Sequence, residues 1–242
     1  MIEFWRSSVG KKNIVAVTGA ILIGYLILHM VGNLNSLYGP GGDEPRVDWY
    51  AHWLRVFGEP LVPYAFVLWV VRAILLSALV IHITGIVQLT KRNRAARPAN
   101  FPAKRIGRSV ESIAMLGTGV LILAFIIFHI MQFTTLTIDV TPLKEGAVYA
   151  NLYYVFQKWY FVAIYLAALL LIGMHLRHGV WSLFQTLGLD GPSRNAKLRH
   201  GATVFVVILV VGFGSIPVLF FADVLDPPNT AAVVTALSGV AA

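Results

Sequence analysis

The sequence predicts an all-α integral membrane protein with five transmembrane helices. Two observations carry that prediction. The 242 residues are 57% hydrophobic and only 12% charged, with a mean hydropathy of +0.74, which no ordinary soluble domain shows. Five stretches also reach the roughly 20 apolar residues that a bilayer crossing needs: about 13–37, 64–90, 109–136, 155–184 and 201–222. In lipid the backbone must satisfy its own hydrogen bonds, so each stretch is expected to be a helix. One membrane domain over residues 1–222 and a tail over residues 223–242 account for the length.

The first helix follows Lys11 and Lys12. Its apolar run from Ile14 to about Val31 is longer than the hydrophobic region of a signal peptide, and no small-residue cleavage site follows, so it is read as a retained span. The loop from Tyr38 to Pro63 carries Trp49, Tyr50, His52 and Trp53, which suit a membrane interface. After the second helix comes a basic loop, Lys91 to Arg108, with Pro98 and Pro102; it is expected to anchor on anionic lipid or to dock a soluble partner. The fourth helix places His175, Arg177 and His178 where a span should still be apolar. After the fifth, the tail opens with Pro227-Pro228, is too short to span, and is expected to lie across the surface or stay disordered. No internal repeat and no nucleotide-binding glycine motif is expected.

Charge placement orients the helices. One side carries Arg6, Lys11, Lys12, the seven basic residues of the Lys91–Arg108 loop, and Arg177, Arg194, Lys197 and Arg199. The other carries only Arg46, Arg55, Lys144 and Lys158, with most of the acids: Asp43, Glu44, Asp48, Glu59, Asp139, Glu145, Asp223 and Asp226. A cytoplasmic N-terminus and an outer C-terminus are therefore expected. The net charge of +8 is largely this topology signal and calls for no nucleic acid. There is no cysteine, which excludes disulfides, iron–sulfur ligation by this chain and thioether-linked haem.

Five of the seven histidines fall in predicted spans: His29, His82, His129, His175 and His178. A single membrane histidine bonded to a nearby hydroxyl or carbonyl needs no cofactor. One on each of four consecutive helices is harder to dismiss, because ionisable groups at that depth are costly. With a rise of about 1.5 Å per residue, His29 lies roughly 24 Å beyond Asn13, in the outer half. His129, twenty residues past Ser109, is also in the outer half. His82 lies roughly 13 Å before Lys91, in the inner half, and His175 is its natural match. In an up-down-up-down bundle the first helix faces the third and the second faces the fourth. The expected pairs are His29 with His129 and His82 with His175. Each pair can ligate a flat cofactor from both faces, and bis-histidine haem b suits a chain without cysteine. The first four helices would then form a haem-binding bundle.

His178 is three residues past His175, leans to a similar face, and is the alternative ligand. Arg177 is expected to snorkel to the inner interface. Arg72, in the outer half without an acidic partner nearby, is assigned to a haem propionate, with outward snorkelling as the alternative. Gly19, Gly24, Gly32, Gly85, Gly117, Gly119, Gly173 and Gly179 would leave room for a porphyrin or for close helix packing.

Ser7-Ser8-Val9-Gly10-Lys11-Lys12, Thr18-Gly19 and His29-Met30-Val31-Gly32-Asn33-Leu34 closely resemble the opening of the cytochrome b membrane-anchor subunit of succinate dehydrogenase and fumarate reductase. The likeness is to the type with one five-helix subunit and two haems. His175-Leu176-Arg177-His178-Gly179-Val180-Trp181 and Phe184-Gln185-Thr186-Leu187-Gly188-Leu189 are similar to its fourth-helix signature. The resemblance covers about residues 6–222. It implies ligands from the first four helices, paired first with third and second with fourth, with His175 the ligand and His178 its neighbour. It also implies a flavoprotein partner carrying the dicarboxylate site, an iron–sulfur partner, and electron transfer through two b haems to or from a quinone, typically menaquinone. A bacterial inner or plasma membrane, a respiratory-chain and tricarboxylic-acid-cycle role, and possible higher oligomers of the complex go with it.

By the same analogy an outer quinone site would use an acid before the second helix. Glu59 is the candidate, with Asn33, His52 and Trp53. An inner site near Ser8 and Lys11 is the alternative. The resemblance leaves open whether the complex oxidises succinate or reduces fumarate. A cytochrome b of the quinol–cytochrome c kind is excluded, since it takes two histidines from each of two helices. A transporter or passive anchor would show broken helices or charged pathways, which these spans lack.

Overall fold

A computed structural model describes residues 7–38, 44–96, 110–138 and 144–228. Arg6, Asp43, Asp139, much of the basic loop (Arg97, Pro98, Pro102, Lys104, Arg105, Arg108) and the tail beyond Pro228 lie outside the described residues. Every regular element described is helical, and five helices are long and apolar enough to cross a membrane. The predicted fold class is the one observed.

The first span, α1 (Ser8–Leu34), begins before the apolar run because Ser7 caps it, its Oγ accepting from Gly10 N–H at 2.8 Å. Lys11 lies in this opening and donates to Gln88 Oε1 at 2.5 Å, tying α1 to the next span. At the other end the Asn35 side-chain amide donates to the Val31 and Gly32 carbonyls at 3.1 and 3.0 Å, meeting oxygens that a helix end leaves unpaired. A 3-10 turn, Asn35–Tyr38, follows.

The expected loop after Tyr38 contains a short helix, α2 (Arg46–Val56). Asp48 in its first turn and Arg55 in its last oppose the helix dipole favourably. Gly58, at φ +100°, turns the chain where a side chain would be strained. The second span, α3 (Phe66–Ala95), runs past the predicted end at residue 90 through Lys91 and Arg92, and the third, α4 (Val110–Phe133), stops before residue 136.

The predicted fourth helix is two helices. Residues from 155 belong to α5 (Val148–Phe156), and the span proper is α6 (Trp159–Thr186). Lys158 is extended between them, and the Gln157 amide leaves the helix to donate to Phe220 O at 2.7 Å and to Asp223 Oδ1 at 3.0 Å. The fifth span, α7 (Asn195–Phe221), starts ahead of the predicted residue 201.

α1 packs against α3 and α6, and α4 against α6, as in an up-down bundle, but among the described residues α3 and α4 make no comparable approach. Among the described residues the diagonals α1–α4 and α3–α6 lack a comparable backbone approach, which leaves space between them for side chains. The fifth span, α7, packs outside, on α1 and α6. Lipid offers helices no hydrophobic drive to associate, so small residues let them close. A Cβ at Gly85 would meet Val15, one at Gly173 would meet Val210, and one at Gly212 would run into the Met30 sulfur.

One end of the bundle is capped by α2 and α5. Val47, Tyr149, Leu152, Phe156, Phe161 and Phe220 form its core, with Tyr149 and Phe220 fully buried. Outside the lipid, burying such a side chain contributes about 1.5–3 kcal/mol. Leu225 joins this core and Tyr149 Oη donates to Asp226 O at 2.8 Å, so the start of the tail is held down, not loose. Ala147 gives α5 no side-chain cap; Asp48 on α2 does so instead, its Oδ1 accepting from Tyr149 N–H at 2.8 Å.

Burial lifts the Asp48 carboxyl from its ordinary 3.8 to about 6, against the pull of the Tyr149 and Val148 N–H groups. The folded state therefore holds this proton more tightly than the unfolded chain. Its contribution to stability should fall as pH rises from about 4 to about 6 and level off above. Asp48→Asn keeps the acceptor and should abolish that slope in thermal unfolding curves taken across the interval; an unchanged slope would assign it to other groups.

Candidate functional site

Each ligand candidate is presented by a long helix and positioned by a neighbour. His29 on α1 and His129 on α4 face each other near the capped end, ring centroids 5.8 Å apart and planes at 81°. An imidazole–metal bond is about 2.0 Å, as measured for zinc, so two rings on opposite sides of one metal put their centroids roughly 6 Å apart. This pair has that spacing. His129 Nδ1 lies 3.0 Å from Tyr165 Oη, which itself donates to Gln132 Oε1 at 2.8 Å. With the phenol proton committed to Gln132, the oxygen accepts from His129 Nδ1–H, and Nε2 keeps its lone pair for a metal. Gln132 is fully buried, and its Nε2 has no partner among the described residues.

His29 is held differently. It stacks on Tyr25 at 5.3 Å and 17°, and its Nε2 lies 3.2 Å from Asn33 Nδ2, which also donates to His29 O at 2.8 Å. Asn33 therefore competes for the nitrogen that would ligate, and must release it, or the ring must turn, for a metal to bind there.

The other pair lies toward the basic end. His82 on α3 has Nδ1 3.2 Å from Thr18 Oγ1 and 3.1 Å from Val15 O, both on α1. A carbonyl only accepts, so this nitrogen carries the proton. His175 on α6 has Nδ1 3.1 Å from Thr118 Oγ1 on α4, and His82 and His175 lie within electrostatic reach of each other. Both threonine hydroxyls donate back into their own helices, to Ile14 O at 2.8 Å and Ala114 O at 3.1 Å. Their oxygens are thus left to accept, and among the described residues neither Nε2 is engaged by a hydrogen bond.

The described residues hold no group of three or more His, Asp or Glu side chains that could close round a metal. Histidines set in pairs suit a metal whose remaining ligands come from a macrocycle. His29 and His129 could hold a bis-histidine haem between them, and His82 and His175, within electrostatic reach of each other, could hold a second. Among the glycines, Gly24, Gly117 and Gly179 face open space, while Gly32, Gly85 and Gly173 serve close packing.

His178 is near enough to His175 to act on it electrostatically, and its ring lies 6.3 Å from Trp181. Arg177 points away, its Nε donating to Thr203 Oγ1 on α7 at 3.2 Å. Arg72 lies over the Trp69 ring at 4.8 Å and within electrostatic reach of Tyr25. Of the expected quinone residues, Asn33 lies on α1, His52 and Trp53 on α2, and Glu59 in the turn after it. His52, Trp53 and Glu59 are exposed, and among the described residues no hydrogen bond or ring contact joins Glu59 to His52, Trp53 or Asn33. Trp53 stacks instead between Tyr50 and Phe57, and Tyr50 covers Gly32, seating α2 on the end of α1.

Sequence reasoning missed Thr18, Thr118, Tyr165 and Gln132. Thr18-Gly19 stands eleven residues before His29, and Thr118-Gly119 eleven before His129, within similar apolar stretches. That shared spacing was the available signal for the two threonines.

The arrangement defines a polytopic helical membrane protein with histidines paired across its bundle. Residues 90–215 match the family described as succinate dehydrogenase/fumarate reductase transmembrane subunit, and the chain belongs to that family. The match runs from the end of α3 into α7 and includes His129 and His175. No individual curated protein and no solved structure matches.

Proposed function

We propose that this membrane subunit is a di-haem cytochrome b anchor. It would hold the flavoprotein and iron–sulfur subunits on the membrane and carry electrons through two b haems between the iron–sulfur subunit and menaquinone. The reading takes succinate oxidation as the working direction; a fumarate reductase would run it in reverse. The chain has no dicarboxylate site of its own in this reading.

The observation that carries it is the His29–His129 pair, 5.8 Å apart on helices that do not otherwise pack closely. Haem, when bound, supplies one-electron redox chemistry at each level. The chain's own residues supply the rest. His29 and His129 would hold one group, and His82 and His175 the other. Tyr165, Thr18 and Thr118 hold the Nδ1 protons, and the apolar spans exclude water. The asymmetry of basic residues supports a cytoplasmic N-terminus, which puts His82 and His175 on the iron–sulfur side. Arg72 remains our candidate for a propionate. For the quinone, Glu59 with Asn33, His52 and Trp53 is the outer candidate, and the region near Ser8 and Lys11 the inner alternative.

Reduced-minus-oxidised visible spectra with haem quantitation on the purified complex should give two b haems per chain. A complex containing none would overturn the reading, and a single haem would overturn the pairing.

A further inference from the structure

We infer that Thr18-Gly19 and Thr118-Gly119 are two related imidazole cradles that position His82 and His175, with Thr118 the stronger determinant of haem potential. The inference rests on the di-haem reading. In each cradle the threonine oxygen takes the Nδ1 proton, at 3.2 Å for His82 and 3.1 Å for His175. The following glycine lets the ring lie close. A Cβ on Gly19 would stand 3.3 Å from His82 Cε1, and one on Gly119 3.5 Å from His175 Cε1. The ring edge bearing Nδ1 and Cε1 is thus laid on the dipeptide of the adjacent helix, which directs Nε2 away from it. α1 and α4 each do two jobs. Each supplies a ligand to one pair, His29 or His129, and eleven residues earlier a cradle to the other.

The two cradles are not equal. His82 Nδ1 has a second acceptor, Val15 O at 3.1 Å, whereas Thr118 is the acceptor recorded for His175. Donating Nδ1–H to an oxygen makes an imidazole a stronger ligand and favours the oxidised metal. Removing the Thr118 oxygen should therefore raise the reduction potential of the haem bound by His175. Removing the Thr18 oxygen should do less, because Val15 O remains. Thr118 and Thr18 act through the histidines and are positioning residues.

The test is a spectroscopic redox titration of the purified complex. Thr118→Val should shift one of the two b-haem transitions upward by about tenfold in its reduction equilibrium, about 59 mV for one electron. The other transition should stay in place. Thr18→Val should move the same transition by less, and Thr118→Ser should restore the wild-type potential. If Thr118→Val does not assemble, Thr118→Ala removes the same oxygen without adding a methyl group and carries the same expectation. Both transitions unmoved, both moved equally, or Thr118→Ser behaving like Thr118→Val would each overturn the inference. A wild-type complex without haem would instead defeat the di-haem reading. Two wild-type haems with an unmoved Thr118→Val transition would defeat the inference alone.

Discussion

Replacing His129 with alanine should halve the haem content of the purified complex, from two b haems per chain to one. His29→Ala should remove the same haem, and His82→Ala or His175→Ala the other. The expectation follows from the pairing. His29 and His129 lie on diagonal helices with facing rings, while His82 and His175 are held by threonines on α1 and α4 well back along those helices. A bis-histidine haem that loses one ligand keeps only one axial bond, and at two ligands per group neither can be spared. The remaining haem should keep its spectrum, because its own ligands and cradles stand on untouched turns. Pyridine haemochrome quantitation with low-temperature difference spectra distinguishes the two bands. If His29→Ala and His82→Ala remove the same haem, the pairing is wrong even if the haem count is right.

Tyr165→Phe should destabilise the protein without disturbing the aromatic cluster that holds the ring. Tyr165 packs edge-on against Phe125 and Phe156 at 5.1 Å, and phenylalanine preserves those contacts. What it deletes is the oxygen linking His129 Nδ1 and Gln132 Oε1. That strands a buried N–H and a buried carbonyl, at about 1–3 kcal/mol for each group left unpaired. Within a membrane, measured hydrogen-bond couplings average about 0.6 kcal/mol, so the lower part of that range is the better expectation. Gln132→Leu in the Tyr165→Phe background should recover part of the loss by removing the stranded acceptor. Unfolding of the solubilised protein in denaturing detergent reads both variants. A Tyr165→Phe midpoint equal to wild type would show that this chain of hydrogen bonds contributes nothing to the fold.

The spans and the facing of His29 and His129 were legible because both depend on coarse physical features. Apolar length against bilayer thickness locates a helix, and one ionisable residue at a given depth on each of four helices suggests partners. What was not legible depends on contacts between residues far apart in the chain. The break between α5 and α6 has no glycine or proline to announce it. It is set by Gln157, whose amide reaches Phe220 O, 63 residues away. α2 hides in a polar loop because its start lies against Tyr149 on α5. Thr18 and Thr118 read as ordinary span residues, since a helical threonine usually bonds its own backbone. Both do so, and the second use of each oxygen is visible only once α3 and α6 are in place.

The bond from Tyr149 N–H to Asp48 Oδ1 also sets an order of events during synthesis. Its partners are separated by 101 residues. A ribosome adding roughly 5–20 residues per second takes roughly 5–20 s to cover that distance. α3 and α4 are added during that interval, while α2, already seated on α1 through Tyr50, still lacks its fastening to α5. The cap shared by α2 and α5 is therefore incomplete until the chain has been made as far as α5. Only then can that cap close.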